Sequence, residues 1–120
     1  MAKHLQTGKR GELLALHLLR EAGYHILDVN WRYRRAEVDL IAEAPDGTLV
    51  FVEVKTRSTE LFGSPESFVT ERQQQFLIDA AGAYMRAIGH EWAVRFDVVA
   101  VVLREGAEPE VRWLQEAFFG

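Results

Sequence analysis

Cysteine is absent from this 120-residue chain. That absence excludes disulfides, thiolate-ligated zinc sites and cysteine nucleophiles, and it suits a reducing compartment. Long hydrophobic runs are also missing, since the longest strongly apolar stretch, around residues 98–103, is far shorter than the ~20 residues that span a bilayer. Basic and polar residues interrupt the N-terminal segment, so no secretory signal is expected. We therefore expect a cytoplasmic protein without a membrane partner.

The length is that of one domain, and we expect a single domain over residues 1–120. Hydrophobic residues make up 48% of the chain, enough to build a core without disulfides or metals. No internal repeat, low-complexity tract or linker-like segment marks a domain boundary.

The net charge of −4 argues against a general nucleic-acid coat protein, but the charge is unevenly distributed. The first 57 residues carry nine basic and eight acidic side chains, whereas the rest carry five and ten. A local basic patch can bind phosphate even on an acidic protein. The basic residues predicted to contact nucleic acid are Lys9, Arg10, Arg32, Arg34, Arg35 and Arg57. The acidic second half leaves room for a protein partner.

The pattern of apolar residues and turn signals predicts an α/β domain. Helices are predicted over residues 6–22 and 70–88, and strands over residues 24–30, 37–43, 49–55, 93–103 and 111–114. Gly23 is predicted to end the first helix, and Thr70 with Gln73 to form a capping box that opens the second. The order αβββαββ predicts a mixed central sheet flanked by helices.

The most informative segment is the third strand, residues 49–55. Because strand side chains alternate between faces, Phe51, Glu53 and Lys55 share one face. Two opposite charges thus stand at the end of an otherwise apolar strand. Such charges are costly to bury unless they are paired or bound to a metal ion.

A symmetric hairpin about residue 46 would place the preceding strand against these residues. This register pairs Asp39 with Glu53 and Glu37 with Lys55, and alternation puts Glu37, Asp39 and Ile41 on one face. Directly opposed residues have Cβ atoms about 5 Å apart. A slip of one residue would break the arrangement. Glu37 could alternatively serve only as a partner of Lys55.

Two carboxylates this close repel each other unless a cation lies between them. Oxygen ligands at that spacing suit Mg²⁺ or Mn²⁺. Asp39 and Glu53 are therefore predicted metal ligands, and Lys55 is predicted to orient or deprotonate a water molecule.

Glu12 and Gln73 are further candidates for the catalytic centre. Glu12 lies at the edge of the buried stripe of the first helix and could supply a third metal ligand, or it could be an ordinary boundary residue. Gln73 points inward from the second helix, but its place in the capping box is a complete alternative explanation.

Aromatic and histidine side chains give weaker signals. The four histidines lack metal-ligand spacing, and His17 and His90 are expected to be solvated. Several aromatic residues could stack on nucleic-acid bases or could simply fill the core: Trp31, Tyr33, Phe62 and Phe68.

The whole chain resembles the YraN-like family of uncharacterised bacterial proteins. The resemblance rests on residues 11–12, 23–27, 30–32, 37–42, 50–57, 62–63 and 95–99. It implies a restriction-endonuclease-like PD-(D/E)xK core related to archaeal Holliday-junction resolvases. It also implies Asp39 and Glu53 as metal ligands, Lys55 as catalytic lysine and Glu12 as the carboxylate of the first helix. Val38 replaces the proline of the superfamily motif.

The second helix departs from the superfamily pattern as well. A Lys or Arg is usual near its start, where this chain has Arg72 and Gln73, which puts the role of Gln73 in doubt.

Three functions are compatible with these features. The first is a divalent-metal-dependent endonuclease that acts on DNA. Its substrates would include branched or recombination intermediates. Cutting two strands would favour a homodimer. The second is a nucleic-acid-binding module of a repair or recombination assembly with weak or lost catalysis. The third is a structural adaptor, which predicts no metal binding.

Overall fold

A computed structural model describes the backbone of residues 2–58 and 69–118, and the side chains of residues 8–58 and 69–118. The elements follow the predicted order: α1 (Ala2–Glu21), β1 (His25–Tyr33), β2 (Ala36–Glu43), β3 (Leu49–Arg57), α2 (Glu71–Ile88), β4 (Val94–Val102) and β5 (Glu110–Phe118). The last strand extends well beyond its predicted end, because its exposed edge residues obscure the alternating pattern.

The five strands form one mixed sheet in the order β1-β2-β3-β4-β5. Neighbouring strands are antiparallel except β3 and β4, which run parallel. A parallel pair needs a crossover that returns the chain to the starting end of the sheet, and α2 provides it. The C-terminal end of α2 therefore lies at the end of the sheet opposite to the one where β3 finishes at Arg57.

Each helix covers one face of the sheet. Phe51 and Phe96 pack with Leu77 and Tyr84 of α2 in one buried cluster. A second cluster joins Ala15 and Leu19 of α1 to alternate residues of the central strands, which are Leu40, Val50, Val52, Val99 and Val101. The alternation in β3 and β4 places these clusters on opposite faces, so the predicted α/β layering is confirmed.

The predicted helix caps are also confirmed, although α1 begins at Ala2 rather than at residue 6. The Gln73 backbone N–H donates to Thr70 Oγ1 at 3.2 Å, and the Thr70 N–H donates to Gln73 Oε1 at 3.0 Å, which completes the capping box. Gly89 ends α2 and Gly23 follows α1, both with the left-handed backbone that glycine adopts without steric cost. Neither helix in the described ranges is long and apolar enough to cross a membrane.

A buried ion pair fastens β5 to the sheet where the β4–β5 register is interrupted. Asp97 is fully buried and accepts two hydrogen bonds from Arg95, both at 2.9 Å. The Asp97 carboxylate also accepts from Trp113 Nε1 at 2.8 Å and from the Glu116 backbone N–H at 3.1 Å. Arg95 donates a further hydrogen bond to the Tyr24 hydroxyl. Because both oxygens of Asp97 accept hydrogen bonds, the burial of the Arg95–Asp97 pair is explained by its structural role.

The expected exposure of the histidines is half right. His17 is exposed and pairs with Glu21 along α1. His90 is buried instead, with its Nε2 atom 2.9 Å from the Ala93 carbonyl oxygen and its ring against Trp92. That hydrogen bond removes the cost of burying the imidazole.

Candidate metal and nucleic-acid site

The sheet opens into a wedge between β2 and β3. These strands pair from Leu40–Val52 to Glu43–Leu49, which is the predicted symmetric register. Beyond Leu40, the described part of β2 continues pairing with β1. Beyond Val52, β3 continues with β4. The ladder thus ends just before Asp39 and Glu53, and the two carboxylates lie where the strands separate.

Asp39 lies at the point of the wedge where the pairing of β2 with β3 stops. Its Oδ2 atom accepts a hydrogen bond of 2.7 Å from the backbone N–H of Val54. A carboxylate therefore satisfies a donor that lies just beyond the β2–β3 ladder. This bond fixes one oxygen of Asp39 against the adjacent strand, so the orientation of the side chain is set by the backbone.

The predicted alternation along β2 is wrong at this point. Val38 and Ile41 both pack in the α2-side cluster, although strict alternation would put them on opposite faces. The change of face accompanies a left-handed backbone at Asn30 (φ 52°) in the neighbouring strand. The shared face predicted for Glu37, Asp39 and Ile41 is consequently not formed.

Glu53 and Lys55 stand on the other side of the wedge and are mostly buried, with side chains 15% and 16% exposed. Lys55 Nζ lies 3.9 Å from Glu53 Oε1. Burial raises the pKa of Glu53 to about 9, and the hydrogen bond to Asp39 and the negative charge of Asp39 add to this rise. The positive charge of Lys55 opposes the rise only in part. The Asp39–Glu53 pair therefore retains a proton unless a cation replaces it.

Glu12 reaches the wedge from α1 because the helix lies close to β3. Gly11 packs directly on Thr56, and a Cβ atom at this position would overlap Thr56 Oγ1. Burial raises the pKa of Glu12, and the charges of Asp39 and Glu37 raise it further. The structure thus brings the predicted first-helix carboxylate near Asp39 and Glu37.

Asn30 joins two of these carboxylates, a role that sequence reasoning missed. The amide orientation is assigned from its neighbours: with the nitrogen toward both acceptors, Nδ2 donates to Glu12 Oε1 at 2.7 Å and to Glu37 Oε1 at 3.1 Å. Glu37 also pairs with Arg32 at 2.8 Å. The predicted Glu37–Lys55 pair is therefore wrong, because Glu37 faces residues of β1. Only the left-handed preference of asparagine could have hinted at this role.

Asp39 and Glu53 are the acidic residues that would hold a small hard cation with few protein ligands. Within residues 8–58 and 69–118, no three His, Asp or Glu side chains are arranged to hold one metal ion. Asp39 and Glu53 nevertheless offer a close pair of carboxylates whose mutual repulsion a divalent cation would relieve. Mg²⁺ commonly takes one or two carboxylates and completes its shell with water and phosphate oxygens.

The predicted basic residues fall into two groups. Arg34 and Arg35 are exposed at the turn between β1 and β2, and the Arg34 guanidinium lies 5.1 Å from the centre of the Tyr33 ring. The β1–β2 turn and the β2–β3 turn lie at opposite ends of β2. The β1–β2 turn therefore lies at the end where β2 and β3 separate, beside the open side of the wedge.

The second basic group lies on α1 and β3. Lys9 and Arg10 are exposed on α1, one turn or less from Glu12. Arg57 is half-buried at the end of β3 and donates to the Thr56 carbonyl oxygen at 2.9 Å.

A mostly apolar cavity of about 240 Å³ adjoins Glu12 between α1 and the first two strands. Its lining includes two exposed apolar side chains, Leu13 at 65% and Val29 at 48%. The remaining lining residues are Lys9, Glu12, Leu16, Asn30 and Leu40.

Two groups of predicted residues have contacts that do not involve the carboxylates. The Gln73 side chain is engaged in the α2 capping box, as its alternative explanation required. Trp31 packs edge-on against Tyr84 and parallel to Tyr33, so these aromatic rings serve the core. Phe62 and Phe68 lie outside the described residues.

Comparison with known sequences identifies close relatives. Residues 11–101 match the model of the Uncharacterised protein family UPF0102. UPF0102 proteins of Christiangramia forsetii and Rhodococcus jostii are 44% and 46% identical over 119 residues, and each alignment covers at least 98% of both chains. A UPF0102 protein of Bacteroides thetaiotaomicron is 40% identical over 119 residues, covering 99% of this chain and 97% of the relative.

Proposed function

The chain belongs to the uncharacterised protein family UPF0102, and we propose that it is a divalent-metal-dependent endonuclease with a PD-(D/E)xK core. Its substrate would be DNA, with branched or recombination intermediates as the first class to test.

One observation carries the proposal: two partly buried carboxyl groups meet at a break in the sheet, with a lysine beside them. The pKa of Glu53 is raised to about 9 by burial and by Asp39, and Lys55 lies 3.9 Å from Glu53. A fold maintained for stability alone gains little from such a cluster, because separated like charges would be less costly. Perturbed acidic groups in a cleft are typical of catalytic sites.

Asp39 and Glu53 would hold Mg²⁺ or Mn²⁺, and Glu12 would contribute as a nearby third carboxylate. A divalent cation at this position supplies Lewis-acid polarisation of a phosphate and lowers the pKa of a bound water molecule. Lys55, at the end of β3, would orient that water or stabilise the charge that develops on the phosphate oxygens. The Asp39–Val54 bond would keep its carboxylate in place throughout the reaction.

The basic residues supply a path for a phosphate backbone. Arg34 and Arg35 flank the wedge from the β1–β2 turn, and Lys9 and Arg10 flank it from α1. The carboxylates lie between these two basic groups, so a nucleic-acid strand that contacted both would pass over them. Such contacts depend on charge rather than sequence, which suits a nuclease that recognises DNA shape.

The direct test is cleavage of a substrate panel. Four-way junctions, flaps, nicked duplexes, linear duplexes and single-stranded RNA are incubated with Mn²⁺ or Mg²⁺ and with EDTA. The proposal predicts metal-dependent cleavage of at least one DNA substrate, and its loss in Asp39→Asn. Cleavage that survives both EDTA and Asp39→Asn would contradict it. Light scattering with and without a junction would show whether two copies act together.

A second candidate is a nucleic-acid-binding module without catalysis. It is favoured by the incomplete ligand set, since no three acidic or histidine side chains in the described ranges are arranged around one point. This candidate predicts salt-sensitive DNA binding with no cleavage at any metal concentration, and binding that is insensitive to Asp39→Asn.

A further inference from the structure

The amide of Asn30 is the junction of a chain of polar contacts that links the β1–β2 hairpin to α1. Arg32 pairs with Glu37 at 2.8 Å, Glu37 accepts from Asn30 at 3.1 Å, and Asn30 donates to Glu12 at 2.7 Å. The two acceptors come from different elements, Glu12 from α1 and Glu37 from β2. One amide group thus holds together two negatively charged residues that would otherwise repel each other.

The backbone of Asn30 is suited to this bridge. It has a φ of 52° in the middle of β1, a conformation that asparagine adopts more readily than most residues. Asn30 is exposed overall, so a packing role in the core does not explain its conformation. The backbone irregularity coincides with the point at which the amide contacts both carboxylates.

We propose that Asn30 is a positioning residue that holds the Glu12 carboxylate near Asp39, where its negative charge would strengthen the binding of a cation by the Asp39–Glu53 pair, an inference that rests on the proposed function. Asn30 does not itself touch the metal ion or the substrate. Asn30 fixes one oxygen of Glu12 through a hydrogen bond. The Asn30 amide is itself held in place by Glu37, which pairs with Arg32; this Arg32–Glu37 pair is the anchor of the arrangement. Partners that orient metal-binding carboxylates commonly change metal affinity by 10–100-fold when they are removed.

The test is a double-mutant cycle between Asn30 and Glu12, with Mn²⁺ affinity read from the electron paramagnetic resonance signal of free Mn²⁺. Asn30→Gly removes the amide while permitting the left-handed backbone. We expect it to weaken Mn²⁺ binding about tenfold or more. Glu12→Gln should also weaken binding, and Asn30→Gly should add little in the Glu12→Gln background, because Asn30 acts through Glu12.

Two further variants separate positioning from general damage. Glu116→Gly is the matched control, since Glu116 also has a φ of 52° but lies in β5, and it should bind Mn²⁺ like the unsubstituted protein. Glu37→Ala keeps Asn30 but removes its second acceptor together with the negative charge of Glu37, and a smaller loss in the same direction is expected. Thermal melting of every variant identifies any that fails to fold.

Wild-type Mn²⁺ affinity in Asn30→Gly, or independent additive effects of Asn30→Gly and Glu12→Gln, would overturn the inference and leave the proposed metal site intact. No Mn²⁺ binding by the unsubstituted protein would overturn the metal site and this inference together.

Discussion

The Asp39 carboxylate accepts a hydrogen bond of 2.7 Å from the backbone N–H of Val54, just beyond the last paired residues of β2 and β3. This contact places an acidic side chain between two separating strands while satisfying a backbone donor. It therefore explains how the sheet can open at Asp39 and Glu53 without leaving that amide unsatisfied.

The first prediction concerns Asp39 as a metal ligand. Asp39→Asn keeps an oxygen that can accept from Val54 but removes the negative charge, so the fold should persist while Mn²⁺ binding by calorimetry is lost. Asp46→Asn is the matched control, because Asp46 is exposed in the β2–β3 turn at the opposite end of the pair. Similar Mn²⁺ binding in both variants would place the cation elsewhere.

Lys55 provides a test of catalysis that is independent of metal binding. Lys55→Met keeps most of the side-chain length and packing but removes the charge 3.9 Å from Glu53. Single-turnover cleavage at saturating metal should fall about a hundredfold or more, the usual effect of losing one positioned charge or proton-transfer group. Melting temperature and Mn²⁺ binding serve as controls. Cleavage at the wild-type rate by a folded variant would make Lys55 structural.

The pH dependence of stability tests the environment of Glu53. Its pKa rises from 4.5 to about 9 on folding, so folding favours the protonated acid. This contribution to the free energy of unfolding is fully present below pH 4.5 and is lost as pH rises toward 9. Urea unfolding of the metal-free protein should therefore show a loss over this interval.

The same measurement on Glu53→Gln isolates the contribution of this residue. Glu12 also has a raised pKa and adds a loss of the same sign, so the informative quantity is the difference between the two proteins. The Glu53→Gln curve should be flatter, because an amide does not ionise. Parallel curves would show that Glu53 titrates normally.

Nucleic-acid binding should depend on the basic hairpin despite the acidic net charge of −4. Replacing Arg32, Arg34 and Arg35 with alanine should lower the slope of log K against log salt by roughly 0.7–0.9 for each phosphate group that the protein no longer neutralises. Arg86→Ala is the control, since Arg86 is exposed in the last turn of α2 at the other end of the sheet. An unchanged slope in the triple variant would move the binding face away from the hairpin.

Gly11 should be required for the approach of α1 to β3. A Cβ atom at Gly11 would overlap Thr56, so Gly11→Ala is expected to lower the free energy of unfolding by about 1–3 kcal/mol. Gly8→Ala lies in the same helix and meets nothing within 4 Å, so it should be neutral or stabilising. Equal effects of the two substitutions, measured by urea unfolding, would show that α1 does not rest on Thr56.

Periodicity and turn chemistry in the sequence determined the order of the elements, the helix caps and the register of the central hairpin. These features depend on neighbours that are close along the chain, such as Thr70 with Gln73 or the turn about Asp46. The same local logic grouped Asp39 of β2 with Glu53 and Lys55 of β3 through the hairpin register.

Only the tertiary structure decided which partners these charges acquire. Glu37 faces Asn30 and Arg32 rather than Lys55, because a left-handed residue in β1 and the separation of β2 from β3 break the simple alternation. The contact of Gly11 with Thr56, which carries Glu12 to the wedge, joins residues far apart in the chain. Such contacts depend on how separate elements pack, and no local pattern of residue types encodes that packing.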